Sequence, residues 1–396
     1  MRIVGLMSGT SLDGIDAALV EVTGVGYNIE VSLLRAQTVA YEADLRSHLL
    51  DICAGTPLSL AALATVDDAV AEAFAQAALA LIQDEPIDLI ASHGQTVYHR
   101  PPQGQALGYS LQIGRGAYIA ACTGIPTISN FRAADIALGG QGAPLVPPVD
   151  ACLLSHPQRD RCVQNLGGIG NVAYLPAWDR RHSPHFPAHI QGWDTGPANV
   201  LIDWAVTEFT NGRRTYDQNG DWAAQGQIHP GLVNQWLDHP FFQQPPPKST
   251  GRELFGTDYA RTCWQQAQGA CLSPADLLAT LTEFTAASIE RGYRQFLPQL
   301  PDELLLCGGG SRNGYLRQRL QARLPEVTVT TTDTPSDTPG NPPGTPLGLD
   351  ADYKEAIAFA VLGFWRWHGV PGNLPAVTGA RDFCPLGELV NPSTFS

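Results

Sequence analysis

The first sixteen residues set the pattern for the chain. An apolar run from Ile3 to Met7 breaks at Ser8-Gly9-Thr10-Ser11-Leu12-Asp13-Gly14 and resumes from Ile15 to Val22. Two short apolar runs around a glycine-containing turn predict a β-hairpin. Apolar positions at Ile29, Val31, Leu33 and Leu34 predict a third strand over 28–41. Residues 60–83 are rich in Ala and Leu, without Gly or Pro, and predict a long helix that Pro86 ends. Ile87 to Ser92 predicts a short strand that delivers His93-Gly94-Gln95-Thr96 to a polar loop at its carboxyl end. Open α/β sheets bind ligands at such ends. A short helix over 115–123 and a strand from Ile125 to Ser129 follow. Then come Asn130 to Asp135 and the glycine-rich Gly139 to Pro144, read as a crossing between domains.

The second half opens in the same way. Arg161 to Leu166 predicts a strand, Gly167 to Asn171 a turn, and Val172 to Leu175 a second strand, an architectural repeat of the opening hairpin. Ile190 to Trp193 leads into Asp194-Thr195-Gly196-Pro197-Ala198-Asn199. Pro197 suits a first helical turn, so a helix is expected over 198–210, with Asp194 and Thr195 exposed at the junction. Phe241 to Gly251 is a proline-rich loop and 275–297 a helix. Leu304 to Cys307 is a buried strand followed by Gly308-Gly309-Gly310-Ser311-Arg312-Asn313 and another helix. Residues 333–350, rich in Pro, Thr, Asp and Gly, form a surface excursion. Tyr353 to Trp367 is a final helix that returns to the first half.

Length and charge narrow the classes. A chain of 396 residues suggests two to three domains, and 44% hydrophobic residues suffice for real cores. The net charge of −14, with Lys248 and Lys354 as the two lysines, argues against a nucleic-acid binder and against a basic membrane-surface protein. Backbone amides, a few arginines and a metal can still bind an anion. The eight cysteines are scattered, without a C-x-x-C pair, and read as free thiols of a reducing compartment. The N-terminus lacks signal-peptide features and no apolar run reaches membrane-spanning length, so a cytoplasmic protein is expected.

Several motifs invite chemistry. Lys248-Ser249-Thr250 resembles the tail of a P-loop, but Pro247 and Phe242 stand where that motif requires glycine. His182, His185 and His189 have metal-like spacing, yet Pro184 and Pro187 break any helix that would align them, and a histidine-containing loop is the simpler reading. In the opening turn, hydroxyls and accessible amides suit a phosphate, with Asp13 and Asp16 as carboxylates for a metal bound to it. An ordinary hairpin turn is the alternative. Gly308 to Gly310 suits either close approach of a flat ligand or tight packing. Asp194 is either a general base or a helix N-cap. Glu355 reads as solvent-facing or functional. Arg132 reads as a surface residue or as a fork for a substrate carboxylate.

Taken in order, these segments resemble the anhydro-N-acetylmuramic acid kinases, a branch of the actin, hexokinase and heat-shock-chaperone ATPase superfamily. The resemblance covers nearly the whole chain. It rests on Gly5 to Asp16, Ser92 to Thr96, Phe131-Arg132, Gly139 to Pro147, Asn165 to Asn171 and Asp194 to Asn199. It continues through Pro246 to Glu253, Cys307 to Gly310 with Asn313, Glu355 to Phe359 and Thr378 to Ala380.

The resemblance implies an α/β fold: two similar domains with an actin-like, ribonuclease-H-like ATPase fold, flanking a deep nucleotide and substrate cleft. We divide them as 1–135 plus about 368–396, and 136–367. It implies an ATP-dependent kinase that hydrolyses the 1,6-anhydro ring of 1,6-anhydro-N-acetylmuramic acid and phosphorylates O6 in peptidoglycan recycling. ATP and Mg²⁺ are the implied cofactors, and a homodimer is expected. By carry-over, Asp194 is catalytic. Gly9, Thr10, Ser11, Leu12, Asp13, Gly14, Ile15 and Asp16 bind nucleotide with Asn165, Gly167, Gly168, Asn171, Gly308, Gly309, Gly310 and Asn313. Ser11, His93, Gln95, Arg132 and Glu355 bind the sugar, and Asp13 and Asp16 serve the metal, through water. Departures from the family pattern stand at Ala198, Asn130 and Arg115, and 333–350 is longer than the usual connection. Two other readings are a kinase of the superfamily acting on another amino sugar, and a nucleotide-driven switch without a sugar pocket.

Overall fold

The computed structural model describes residues 1–9, 12–82, 85–102, 106–179, 186, 189–334 and 350–392. Thr10, Ser11, His182, His185 and most of the 333–350 excursion lie outside the described residues. The chain divides into two compact units, Met1–Leu154 with Asp179–Ala188 and Gly344–Ser396, and Ser155–Trp178 with His189–Pro343.

In the first unit the opening hairpin forms as expected. Strands β1 (Arg2–Ser8), β2 (Gly14–Val25) and β3 (Asn28–Ala40) run antiparallel in turn. Helices α1 (Ala43–Cys53) and α2 (Leu60–Leu81) follow, the latter capped by Ser59, whose side chain accepts from the Ala62 amide. Strand β4 (Leu89–Arg100) pairs parallel with β1, and β5 (Tyr109–Ile113) folds antiparallel onto the far half of β4. Then come α3 (Gly116–Thr123), β6 (Thr127–Ser129), α4 (Ala133–Ala137) and α5 (Pro147–Leu154).

The second unit repeats the opening with β7 (Arg161–Leu166), β8 (Ile169–Leu175) and β9 (Gln191–Pro197). Helices α6 (Asn199–Phe209), α7 (Pro230–Leu237), α8 (Arg252–Phe255), α9 (Thr257–Gly269) and α10 (Pro274–Phe296) follow. Next are β10 (Glu303–Cys307), α11 (Gly314–Arg323) and β11 (Thr328–Thr331). The chain then returns to the first unit as α12 (Lys354–Trp367), α13 (Pro375–Thr378) and β12 (Glu388–Val390).

The two sheets share one plan. The first runs β12-β6-β4-β1-β2-β3, and the second β11-β10-β7-β8-β9. In both, three antiparallel strands are followed by two parallel ones beside the first strand. That order and those directions are ribonuclease-H-like, and the duplication is the one read from the sequence.

Four expectations need correction. His93–Thr96 is not a loop: β4 continues through it because β5 supplies ladder partners, Gln95 to Ile113 and Thr96 to Gln112. Gly94, with φ +73°, lets the strand bend where an added Cβ would lie 2.6 Å from the Ile113 carbonyl. The turn of the second hairpin is only Gly167-Gly168, since β8 starts at Ile169. Asp194 and Thr195 lie inside β9, and Thr195 is buried rather than exposed at a junction.

The fourth concerns the division. The first unit extends to Leu154 and reclaims α12, both of which the 136–367 division assigned elsewhere. Helix α12 is buried from Ala356 to Trp365, and it packs so closely on β1 that a Cβ on Gly5 would run into the Ala356 carbonyl oxygen. Its first turn carries Lys354, buried and 2.8 Å from the buried Asp150 of α5. The Gly139–Pro144 segment folds back within the first unit instead of crossing between domains.

Gly5→Ala is therefore expected to lower stability by about 1–3 kcal/mol, the usual cost of overpacking. The check is the urea midpoint at unchanged slope, and an unshifted midpoint would contradict the close seating of α12 on β1.

Candidate active site

The first hairpin turn is held by residues distant in sequence. The Ser8 hydroxyl lies 2.8 Å from the Gly14 carbonyl and 2.6 Å from Gln95 Oε1, and Tyr41 donates to the same Gln95 oxygen at 3.3 Å. Gln95 is thus a buried brace for the turn. From α1, Arg46 donates to the Leu12 carbonyl at 2.9 Å and to Asp13 at 3.1 Å. Leu12 adopts φ 58°, an unusual conformation for a branched residue that leaves its amide bonded to the Gly9 carbonyl at 3.3 Å. Nothing lies within 4 Å of a Cβ built on Gly9, so backbone there is open to close approach. Arg46, Tyr41 and Thr38 escaped the sequence reading because their partners lie tens of residues away.

Asp16 faces Thr38, which donates to it at 2.7 Å. Burial pushes the Asp16 carboxyl up to about 6; the Thr38 bond opposes this, and the charges of Glu355, Asp352 and Asp13 add to it. Four carboxylates thus share one neighbourhood. Among the described residues, no group of three His, Cys, Asp or Glu side chains is arranged to hold a metal directly. The donor set suits a hydrated cation carried on phosphates, the usual mode for Mg²⁺.

The structure brings His93 and Arg132 into direct contact. His93 is buried, and its Nδ1 lies 2.8 Å from the Gly94 carbonyl, which assigns the proton to that nitrogen. Its Nε2 then accepts from Arg132 Nε at 3.1 Å and Nη2 at 2.9 Å. Burial and the adjacent guanidinium hold the His93 pKa well below the usual value, so the ring is neutral. Arg132 Nη1 donates to the Gly142 carbonyl at 2.6 Å. The glycine loop is in turn pinned by buried Asp135, which accepts from the Gly142 amide at 2.8 Å, from Asn373 at 2.9 Å and from Thr378 at 2.7 Å. His93 stacks at 4.6 Å on Phe359 of α12. Glu355 is four residues earlier on the same helix and therefore on the same face. Arg132 and His93 are brought into contact, and Glu355 lies on the face of α12 that carries Phe359.

In the second unit, hairpin and glycine turn meet. A Cβ on Gly308 (φ +75°) would run into Asn165 Oδ1, and one on Gly310 would lie 2.7 Å from Leu166 Cβ and 2.9 Å from the Asn199 amide. Those two glycines have packing reasons, whereas Gly309 borders open space. The amides of Ala198 and Val200 bond the Gly168 carbonyl and that of Asn199 bonds Gly167, at 3.0–3.1 Å. The start of α6 is thus satisfied by the hairpin turn, with Ala198 at its N-cap, so Asp194 is not a helix cap. Asn313 caps α11, accepting from the Leu316 amide at 2.9 Å. Asn171 lies opposite Asp194 in the ladder. Asp194 donates its own amide to the Lys248 carbonyl at 3.0 Å, and its Oδ2 accepts from the Thr250 amide at 2.8 Å. The Thr195 hydroxyl points inward, accepting from Gln164 at 3.1 Å. Of the departures, Asn130 takes φ 55° and bonds Glu388 at 2.9 Å, and Arg115 forms an exposed pair with Asp67 at 3.4 Å.

Duplicated units of this strand order, each opening on a small-residue hairpin, define the actin- and hexokinase-like class. A family model described as anhydro-N-acetylmuramic acid kinase matches residues 1–392. Anhydro-N-acetylmuramic acid kinase of Acaryochloris marina is 58% identical over 391 residues, 98% of this chain and 99% of the relative. That of a Synechocystis strain is 56% identical over 394 residues, 98% of each. Among solved structures, a ROK family glucokinase from Streptomyces griseus, in complex with glucose and AMPPNP, matches with TM-score 0.38 and 13% identity. That match covers 92% of this chain and 99% of the other, and at that level it carries no functional weight. The chain belongs to the anhydro-N-acetylmuramic acid kinase family, and it is a kinase.

A pH effect follows from Asp16. Its folded pKa of about 6 lies above the ordinary value of 3.8, so the folded state holds the proton more firmly and stability falls as pH rises through that window. Asp16→Asn should raise the thermal midpoint at pH 7.5 without nucleotide or metal, and the difference should close by pH 4. A pH-independent difference would contradict the burial of this carboxylate.

Proposed function

We propose that the substrate is 1,6-anhydro-N-acetylmuramic acid and that the kinase couples ring opening to phosphorylation of O6. Asp194 takes a proton from water as the water oxygen bonds to the anomeric carbon. The bond from that carbon to O6 breaks, and O6 takes the γ-phosphoryl of ATP. The products are N-acetylmuramic acid 6-phosphate and ADP, an intermediate of peptidoglycan recycling and its by-product. The reading is supported most by Asp194: a carboxylate set on a strand, held by backbone of residues 248–250 and opposite Asn171 of the second hairpin.

The first hairpin from Gly9 to Asp16, the second from Asn165 to Asn171, and Gly308 to Gly310 with Asn313 hold the nucleotide in this account. Open space at Gly9 and Gly309 favours close backbone approach there. Asp13 and Asp16 hold Mg²⁺ through water, and when bound the metal supplies charge neutralisation at the phosphates. Arg132 meets the sugar's carboxylate with its guanidinium fork, kept in place by neutral His93 and the Gly142 carbonyl. Glu355 orients the ring, and Ser11 belongs to the same sugar site. A cytoplasmic homodimer completes the reading; the eight free cysteines favour a reducing compartment, and the dimer rests on the family alone. No helix among the described residues is long and apolar enough to cross a membrane.

Asp194→Asn is expected to fold and bind ATP while kcat falls ~10²–10⁴-fold, the contribution of a positioned base. Steady-state kinetics with the anhydro sugar check this, and near-normal turnover would contradict the assignment.

A further inference from the structure

Lys248 is one of the chain's two lysines, and it is buried. Its ammonium donates to the Phe241 carbonyl at 3.2 Å. It also lies 4.6 Å from the centroid of the Phe241 ring and 4.7 Å from that of Phe296, the last residue of α10. Phe296 also packs edge-on against Trp193, the neighbour of Asp194 in β9, at 6.2 Å. The lysine is therefore a plug in an aromatic slot whose wall adjoins the base. Its main chain completes the connection. The Lys248 carbonyl accepts the Asp194 amide and the Thr250 amide donates to the Asp194 carboxylate.

A methionine or leucine would fill such a slot without the cost of desolvating a charge. Burial and the charge of Arg291 pull the Lys248 pKa down to about 8, and the charge of Asp194 opposes them. The cation is therefore within electrostatic reach of the carboxylate. The segment lacks the glycines of a P-loop, with Phe242 and Pro247 in their places.

We propose that Lys248 is the positioning residue for Asp194. Its ammonium, gripped between two phenyl faces, fixes the 248–250 backbone that orients the carboxylate. The inference rests on Asp194 being the base. It gives a role to a motif whose similarity to a P-loop tail is superficial.

The test is a double-mutant cycle on the full chain with Mg-ATP and the anhydro sugar. Lys248→Met should lower kcat at least tenfold, leave the KM for ATP within twofold and not lower the thermal midpoint. In the Asp194→Asn background the same change should alter kcat less than twofold, because its effect passes through Asp194. Phe296→Leu, at a half-buried position, weakens the same grip and should show a smaller loss that is equally silent in that background. Equal losses in both backgrounds, or Lys248→Met and Phe296→Leu both within twofold of wild type, would overturn the proposal. Near-normal turnover by Asp194→Asn alone would instead sink the base assignment.

Discussion

The hold that backbone has on Asp194 is the constraint on which the proposed chemistry depends. A carboxylate on a strand swings freely unless something fixes it, and here the Thr250 amide bonds one oxygen while the Lys248 carbonyl bonds the residue's own amide. Backbone donors cannot change rotamer, so the orientation is set by the path of residues 248–250. A base that must meet a water at one carbon needs such pre-organisation. The surrounding aromatic packing, with Phe242 2.7 Å from where a Gly196 Cβ would stand, leaves the strand little room to shift.

The first unit solves a similar problem with a side chain. Asp135 is fully buried and gathers the Gly142 amide, Asn373 and Thr378, which ties the glycine-rich segment to the C-terminal segment. Arg132 takes its bearing from the glycine-rich segment through the Gly142 carbonyl and from His93 on β4. Burying a carboxylate is costly, and three donors offset the cost. The neutrality of His93 follows from its burial, and the adjacent guanidinium, which would repel a second cation, adds to it.

Local pattern made much of this legible. Both hairpins, the long helix α2, the strand before Gly308 and the returning helix α12 could be read because apolar runs and glycine turns are short-range signals. Other features depend on partners far along the chain. His93–Thr96 reads as a polar loop until β5, more than ten residues on, supplies its ladder. The units part elsewhere than at 135 because Asp135 binds Gly142 and Thr378 and α12 seats on Gly5 of β1, contacts that no local pattern reveals. At the site, Asp194 and Arg132 stood out by residue type, but Asp135, Arg46 and Lys248 acquire roles only through contacts. Gly308 and Gly310 show the converse: a motif that suggested a ligand is partly explained by packing on Asn165 and Leu166.

The central claim is that water opens the sugar ring while O6 receives phosphate, in one coupled event organised by Asp194. Incubation with Mg-ATP and 1,6-anhydro-N-acetylmuramic acid in heavy-oxygen water, followed by mass spectrometry of the sugar, tests it most directly. The account predicts a ring-opened 6-phosphate with one heavy oxygen at C1 and none in the phosphoryl group. ADP formed with heavy oxygen in free phosphate, or a phosphorylated sugar that retains its anhydro ring, would contradict it.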